Sequence, residues 1–218
     1  MDITDYSRKL AKHFGESLGY TEEKIDLLRF GFETLIGEGI KLIALLVIAL
    51  TYHLLAVMLA AVTTFILFRF TSGGAHSDSH KGCFIMTTLT FTAVAFAGRI
   101  AGTALNVESL MTLVAGVFIL SLLGITLWAP AENKNKPINP RKKKHLKYLS
   151  YLLLGIWIFS TLIIKKITLP SIYLEIISAS AFALVFQVFT LSPLGFRFME
   201  YTDKIINGKE GMEDVKQA

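Results

Sequence analysis

The chain has 218 residues, 53% hydrophobic and 18% charged, with a formal charge of +5 and a mean hydropathy of +0.54. Soluble domains carry about 25% charged and 45–50% apolar residues, so this composition argues against an ordinary soluble domain and for a membrane protein. The positive charge is modest and comes largely from one basic loop, so it bears on membrane orientation and not on nucleic-acid binding.

The first thirty residues and the last twenty are polar, and the apolar mass lies between Ile40 and Ser192. Residues 1–30 alternate charged and apolar positions, which is not the pattern of a cleavable signal peptide. Ile3, Tyr6, Leu10, Phe14 and Leu18 fall at helical spacing, with Arg8, Lys9 and Lys12 on other faces. That pattern predicts an amphipathic helix, lying in the membrane interface or packed on the protein's own cytoplasmic side. Gly19 ends it. Thr21 can cap a second helix, and Glu22 and Glu23 suit the positive end of its dipole.

From Ile40 to Phe70 the chain is apolar except for Lys41, Tyr52, His53 and Arg69. This run exceeds one bilayer crossing of about 20 residues. It reads as two short helices, 38–52 and 54–70, turning near Tyr52-His53; one long tilted helix is the alternative. Further spans are predicted at 83–105, 109–128, 148–165 and 170–192. The expected fold is therefore all-α and polytopic, with about six transmembrane helices and an N-terminal amphipathic interfacial helix. Residues 1–37 form cytoplasmic or interfacial helices, 38–192 the transmembrane bundle and 193–218 a cytoplasmic tail, all in one membrane-embedded domain.

Lysine and arginine placement sets the orientation. The 130–147 loop holds Lys134, Lys136, Arg141, Lys142, Lys143, Lys144 and Lys147, so it is expected inside the cell. Alternation then places residues 69–83 and both termini inside as well, although it leaves Lys165-Lys166 outside. Arg99 lies toward the outer end of its span. Snorkelling to the interface explains it, and Glu175 is a possible partner for it. Thr87, Thr88, Thr90 and Thr92 are expected to hydrogen-bond between helices or to face a hydrated groove.

Chemistry concentrates in residues 69–83, Arg-Phe-Thr-Ser-Gly-Gly-Ala-His-Ser-Asp-Ser-His-Lys-Gly-Cys, between two apolar runs at a membrane surface. This segment holds the one cysteine, Cys83, and two of the five histidines. A single cysteine excludes an internal disulfide and a multi-cysteine zinc or iron–sulfur centre. Cys83 stands near the start of a span helix, where the dipole and free amides favour a thiolate. His76 can accept the thiol proton and later return it to a leaving amine. On one continuous helix the two would stand about 10 Å apart along the axis. Gly73, Gly74 and Gly82 allow the backbone to fold back and close that gap. A metal set His76-x-Asp78-x-His80-x-x-Cys83 is the rival reading. An inert small core cysteine is the bland one.

The Arg69…Gly73-Gly74-Ala75-His76…Cys83 pattern resembles that of the accessory gene regulator B family, membrane-embedded cysteine endopeptidases of Gram-positive quorum sensing. Phe30-Gly31-Phe32-Glu33 is similar to the family's aromatic-Gly-hydrophobic-Glu segment. Pro130…Asn133-Lys134-Asn135-Lys136-Pro137-Ile138 with its basic run is similar to the central cytoplasmic loop. The resemblance implies a thiol protease of the cell membrane with catalytic Cys83 and His76 facing the cytoplasm. Arg69, Gly74 and Glu33 are implied as substrate-binding or oxyanion support, and Glu33 as a partner of Arg69 or a support for the loop.

The implied substrate is a propeptide with an acidic C-terminal tail. Cleavage there through an acyl-enzyme leads to a thiolactone or lactone ring. A homodimer in a lipid bilayer is implied as the working state, with no metal, cofactor or nucleic acid. A transporter without a catalytic thiol is the alternative function. It would place polar residues at mid-span, where only Arg99 and Glu175 are available. A metal-binding scaffold is a third.

Overall fold

The computed structural model describes residues 3–77, 79–132, 139–165 and 171–207. Among these the chain forms eight helices and no strand beyond a single isolated bridge. They are α1 (Ile3–Ser17), α2 (Glu22–Thr51), α3 (Leu55–Ser72), α4 (His80–Ala104), α5 (Val107–Trp128), α6 (Pro140–Lys165), α7 (Ser171–Leu191) and α8 (Pro193–Asn207). Six of them, α2 to α7, are long and apolar enough to cross a membrane. The protein is an all-α polytopic membrane fold, and its sequence predicts the same number of spans.

Two compact units are present, Met1–Val47 and Ile48–Ala218. In the first, the turn after α1 is made at Gly19, whose φ of +64° suits a residue without a Cβ penalty. Gly15 of α1 sits directly against Ile25 of α2. The Phe14 and Phe32 rings pack with centroids 5.8 Å apart. Ser7, Ala11 and Gly15, small residues four apart, form the buried stripe of α1. Tyr6, Phe14 and Leu18 from the expected apolar face are exposed, as suits a helix whose bulky side meets lipid. The mixed residues 22–37 and the apolar residues 40–51 belong to one unbroken 30-residue helix. No proline or capping residue interrupts them.

In the second unit the turn after α2 falls at Tyr52 and His53, as the sequence predicts. His53 takes a φ of +55°, and the Leu54 amide closes the turn on the Ala49 carbonyl at 2.7 Å. Helix α7 is the centre of this unit, packed on α3, α4 and α5. Its sequence allows this, because Ser178, Ala179, Ser180, Ala181 and Ala183 are all buried and small enough for close approach. Gly98 and Gly102 of α4, spaced as G-x-x-x-G, meet it there. A Cβ on Gly98 would lie 2.5 Å from that of Ala179, and one on Gly102 would overlap the Glu175 backbone. Lipid gives no hydrophobic drive for helices to associate, so this small-residue contact supplies van der Waals packing in its place.

Phe68, Leu110, Val114, Ile125, Leu154, Trp157, Ile177 and Leu184 form the apolar core around α7. Polar pins cross it: Trp157 Nε1 donates to Ser180 Oγ at 3.2 Å, and Ser150 Oγ to Thr71 Oγ1 at 3.0 Å. Arg99 meets Glu175 at 3.8 Å and also donates to the Tyr52 carbonyl at 2.9 Å, so it does find the expected partner.

Two elements extend past their sequence boundaries. Helix α6 starts at Pro140, so the basic run from 141 to 147 is helical, not loop. There Lys143 pairs with Glu132 at 2.8 Å, and Lys147 donates to the Thr126 carbonyl at 2.7 Å. Past α7 the expected tail becomes α8. Ser192 caps it by accepting from the Gly195 amide at 3.1 Å, and proline occupies its favoured first helical position. Lys134, Lys136, Lys166 and the 133–138 motif lie outside the described residues.

Candidate active site

The site is built where α3 ends and α4 begins. Gly73 (φ +70°) and Gly74 (φ +129°) turn the chain sharply after Ser72. Side chains rarely adopt either conformation. Space enforces glycine too: a Cβ on Gly74 would stand 2.5 Å from Arg69 Nη1 and 2.7 Å from Thr190 Oγ1. The turned segment is then fastened on both sides. Ala75 donates its amide to the Thr190 carbonyl at 2.8 Å, and the Ala131 amide donates to Ser72 at the same distance. Gln187 Nε2 donates to Ser72 Oγ at 2.9 Å and to the Gly73 carbonyl at 2.8 Å.

Arg69 reaches back from the last turn of α3. Its Nη2 donates to the Ala75 carbonyl at 2.6 Å. Its Nη1 donates to the Gly73 carbonyl at 3.4 Å and to Thr190 Oγ1 at 3.3 Å. The guanidinium carbon lies 5.9 Å from the centre of the Phe65 ring. A planar fork with several fixed donors suits this task better than an ammonium. These bonds tie the guanidinium to the loop and to α7.

The chain then re-enters a helix. Ser79 caps α4, its Oγ accepting from the Gly82 amide at 2.9 Å. The Cys83 amide makes an early helical bond, to the Ser79 carbonyl at 2.9 Å. Cys83 is therefore in the first turns of α4, near the positive end of the helix dipole, and it is buried.

Cys83 Sγ lies 3.6 Å from His76 Nε2. On the far side of the ring, His76 Nδ1 lies 2.7 Å from the Ser77 carbonyl. A carbonyl only accepts, so Nδ1 carries a proton and Nε2 is turned to the sulfur. This hydrogen bond to Cys83 is the main cause that lifts the His76 pKa above its ordinary 6.5. Burial works against it, and so does the Arg69 charge. The geometry thus suits an ion pair of thiolate and imidazolium, the reactive form of a cysteine nucleophile. Thr87 Oγ1 stands 3.9 Å from the sulfur. Thr88 and Thr92 hold buried hydroxyls with no hydrogen-bond partner among the described residues, so they do not make the interhelical bonds expected of them.

The structure thus brings together His76, Cys83, Arg69 and Gly74 of the expected set. Glu33 belongs to the first unit, where it accepts from Thr4 Oγ1 at 2.9 Å and from Arg29 Nη1 at 3.4 Å. Of the rival metal set, Asp78 and the His80 side chain lie outside the described residues. Sequence reasoning missed Gln187, Thr190, Ser77 and Asp203. Gln187 carried a signal, being an amide in a largely apolar span.

Comparison with known proteins bears on the identity of this arrangement. The accessory gene regulator B family matches residues 7–191. An AgrB-like protein 2 of Clostridium perfringens (strain 13 / Type A) is 25% identical over 210 residues, covering 94% of this chain and 98% of that protein. An AgrB-like protein of Clostridium perfringens (strain SM101 / Type A) is 27% identical over 159 residues, 72% of this chain and 74% of that one. The accessory gene regulator protein B of Staphylococcus aureus (strain JH9) is 26% identical over 137 residues, 63% of this chain and 70% of that one. No solved structure matches. With a match that takes in all six candidate spans and the whole 69–83 loop, the chain belongs to the accessory gene regulator B family of quorum-sensing systems.

Proposed function

We propose that the protein is a cysteine endopeptidase of the cell membrane that cuts a quorum-sensing propeptide before its acidic C-terminal tail. The Sγ–Nε2 approach of 3.6 Å carries this reading. The Cys83 thiolate adds to the carbonyl carbon of the scissile peptide bond and forms a C–S bond. His76 gives its Nε2 proton to the departing nitrogen as the C–N bond breaks. The tail leaves as a free amine, and the signal segment stays on Cys83 as a thioester. A thiol within that segment then attacks the thioester carbonyl and passes its proton to His76. Its new C–S bond replaces the one to Cys83 and closes a thiolactone; a serine hydroxyl would give the lactone. Exchange between two thioesters is nearly isoenergetic, so the ring survives only where water is kept from the acyl-enzyme. Burial of Cys83 supports that requirement.

The 69–83 loop shares one end of the second unit with the start of the basic segment, since Ala131 bridges to Gly73. Positive charge marks the inner membrane face, which supports an active site toward the cytoplasm. The basic residues at the start of α6 also complement an acidic tail. Arg69 and Gly74 support the reaction by shaping the loop. The family resemblance assigns Glu33 a supporting role and the protein a homodimeric working state.

The test uses the protein purified into lipid nanodiscs with a propeptide carrying a leader, a core cysteine and an acidic tail. Mass spectrometry should find the released tail and a core-peptide adduct on Cys83. Undiminished tail release by Cys83→Ala would end the proposal. Crosslinking of the same sample reads the dimer.

A further inference from the structure

A side-chain path leads away from the catalytic pair to the C-terminal helix. His76 Nδ1 leans on the Ser77 carbonyl. The Ser77 hydroxyl donates to Asp203 Oδ1 of α8, 126 positions along the chain. It also lies 3.2 Å from the Ser79 carbonyl. Ser77 is only 8% exposed, so this hydroxyl has little access to water. Gly82, one residue before the nucleophile, leaves the space in which the carboxylate sits: a Cβ there would lie 2.6 Å from Asp203 Oδ1. Helix α8 packs on both α4 and α7, and its Ser192 cap fixes where it starts.

We propose that Asp203 is a positioning residue of the reaction, holding Ser77 so that the Ser77 carbonyl aims the His76 ring at Cys83. This deepens the peptidase reading and rests on it for the reaction itself. The physical reason is that the described residues between Ala75 and the start of α4 are not helical. The Ala75 amide fixes one end and the Ser79 cap the other. Between them the peptide after His76 needs a separate anchor, and the described contact that supplies it comes from α8. The carboxylate touches no reacting atom; it acts through Ser77. Helix α8 lies beyond the 7–191 family match, so this anchor is a property read from this chain's own structure.

The experiment compares full-length protein in nanodiscs with Asp203→Ala, Asp203→Asn, Ser77→Ala and the Ser77→Ala/Asp203→Ala double variant. Two readouts are taken, the rate of Cys83 alkylation by iodoacetamide and the kcat and KM of tail release. Misplacement of a catalytic group by about 1 Å costs on the order of a hundredfold. Asp203→Ala should therefore lower kcat roughly ten- to hundredfold with KM nearly unchanged, and slow alkylation several-fold. Asp203→Asn keeps an oxygen that accepts the serine proton and should recover most of both rates. The double variant should be no slower than the slower single one, because both changes remove the same bond.

Wild-type kcat and alkylation in Asp203→Ala would overturn the proposal, as would losses that multiply in the double variant. If Asp203→Ala does not accumulate, Ser77→Ala against Asp203→Asn decides the same question: a slow first and a near-normal second support the anchor, and equal rates refute it. If the unsubstituted protein releases no tail while alkylation follows the expected order, the anchor stands and the peptidase reading falls.

Discussion

The Ala75 amide donates to the Thr190 carbonyl at 2.8 Å, joining the residue before His76 to the last turn of α7. The most buried helix of the second unit thus carries the floor on which the reactive loop rests. Arg69 and Gln187 bind the same few atoms of chain from α3 and α7. The loop is short and irregular, yet several of its polar contacts lead to regular elements. Catalytic groups held this way keep their geometry when a substrate pulls on them.

Replacement of Cys83 separates chemistry from folding. Cys83→Ala should insert normally and release no tail, as read by gel and mass spectrometry. Cys83→Ser should retain the fold and react far more slowly, because His76 must then remove a proton from a hydroxyl. Equal rates for the serine variant and the parent would show the sulfur to be incidental.

The raised His76 pKa fixes the sign of a pH effect. The imidazolium form is held by Cys83, so it persists above the ordinary value of about 6.5. Its contribution to stability is complete below that ordinary value and is lost as pH rises through the higher folded one. The alkaline limb of kcat/KM should accordingly fall above pH 6.5, since the leaving amine needs that proton. His76→Asn should remove this limb along with most activity. It should also move iodoacetamide alkylation of Cys83 to higher pH, because the thiolate loses its imidazolium partner. An unchanged alkylation profile would separate the two side chains chemically.

Arg69→Ala should leave the Ala75 carbonyl without its guanidinium donor, while Gln187 still serves the Gly73 carbonyl. Each unsatisfied buried acceptor costs about 1–3 kcal/mol, so the loop should open and activity fall sharply. Limited proteolysis between residues 73 and 80 measures the opening. Arg69→Lys should rescue only part, because one ammonium cannot serve Ala75, Gly73 and Thr190 in a fixed fork.

Gly74→Ala adds a methyl group where Arg69 and Thr190 already stand, at a φ of +129°. Strained backbone of this kind costs on the order of 1–3 kcal/mol. Loss of tail release should accompany a lower unfolding temperature, and retention of both would contradict the packing described.

Gly98→Leu or Gly102→Leu should force α4 off α7 at the opposite end from the 69–83 loop. Overpacking costs about 1–3 kcal/mol. Thermal unfolding in detergent should report it, with Gly116→Leu as a control, since a Cβ at Gly116 meets nothing within 4 Å.

Sequence by itself determined the membrane class and the six candidate crossings, and it marked His76 and Cys83 as residues to be brought together. Runs of apolar residues are long-range facts about solvent, and bilayer thickness turns them directly into helices. The glycines at 73 and 74 declared a turn because few other residues tolerate it. The turn at Tyr52-His53 was legible from run length alone. The start of α6 was not, because charged residues end a span without ending a helix. Helix α8 was also missed, although Ser192-Pro193 is a helix start and Leu194, Phe198, Tyr201 and Ile205 recur at helical spacing. Only the tertiary structure decided what holds the site: Gln187, Thr190 and Asp203 reach it from 115, 115 and 126 positions away along their hydrogen-bonded pairs. Such contacts have no local pattern. They arise because helices buried side by side must satisfy every irregular carbonyl and amide at their ends with whatever polar group the neighbouring helix presents.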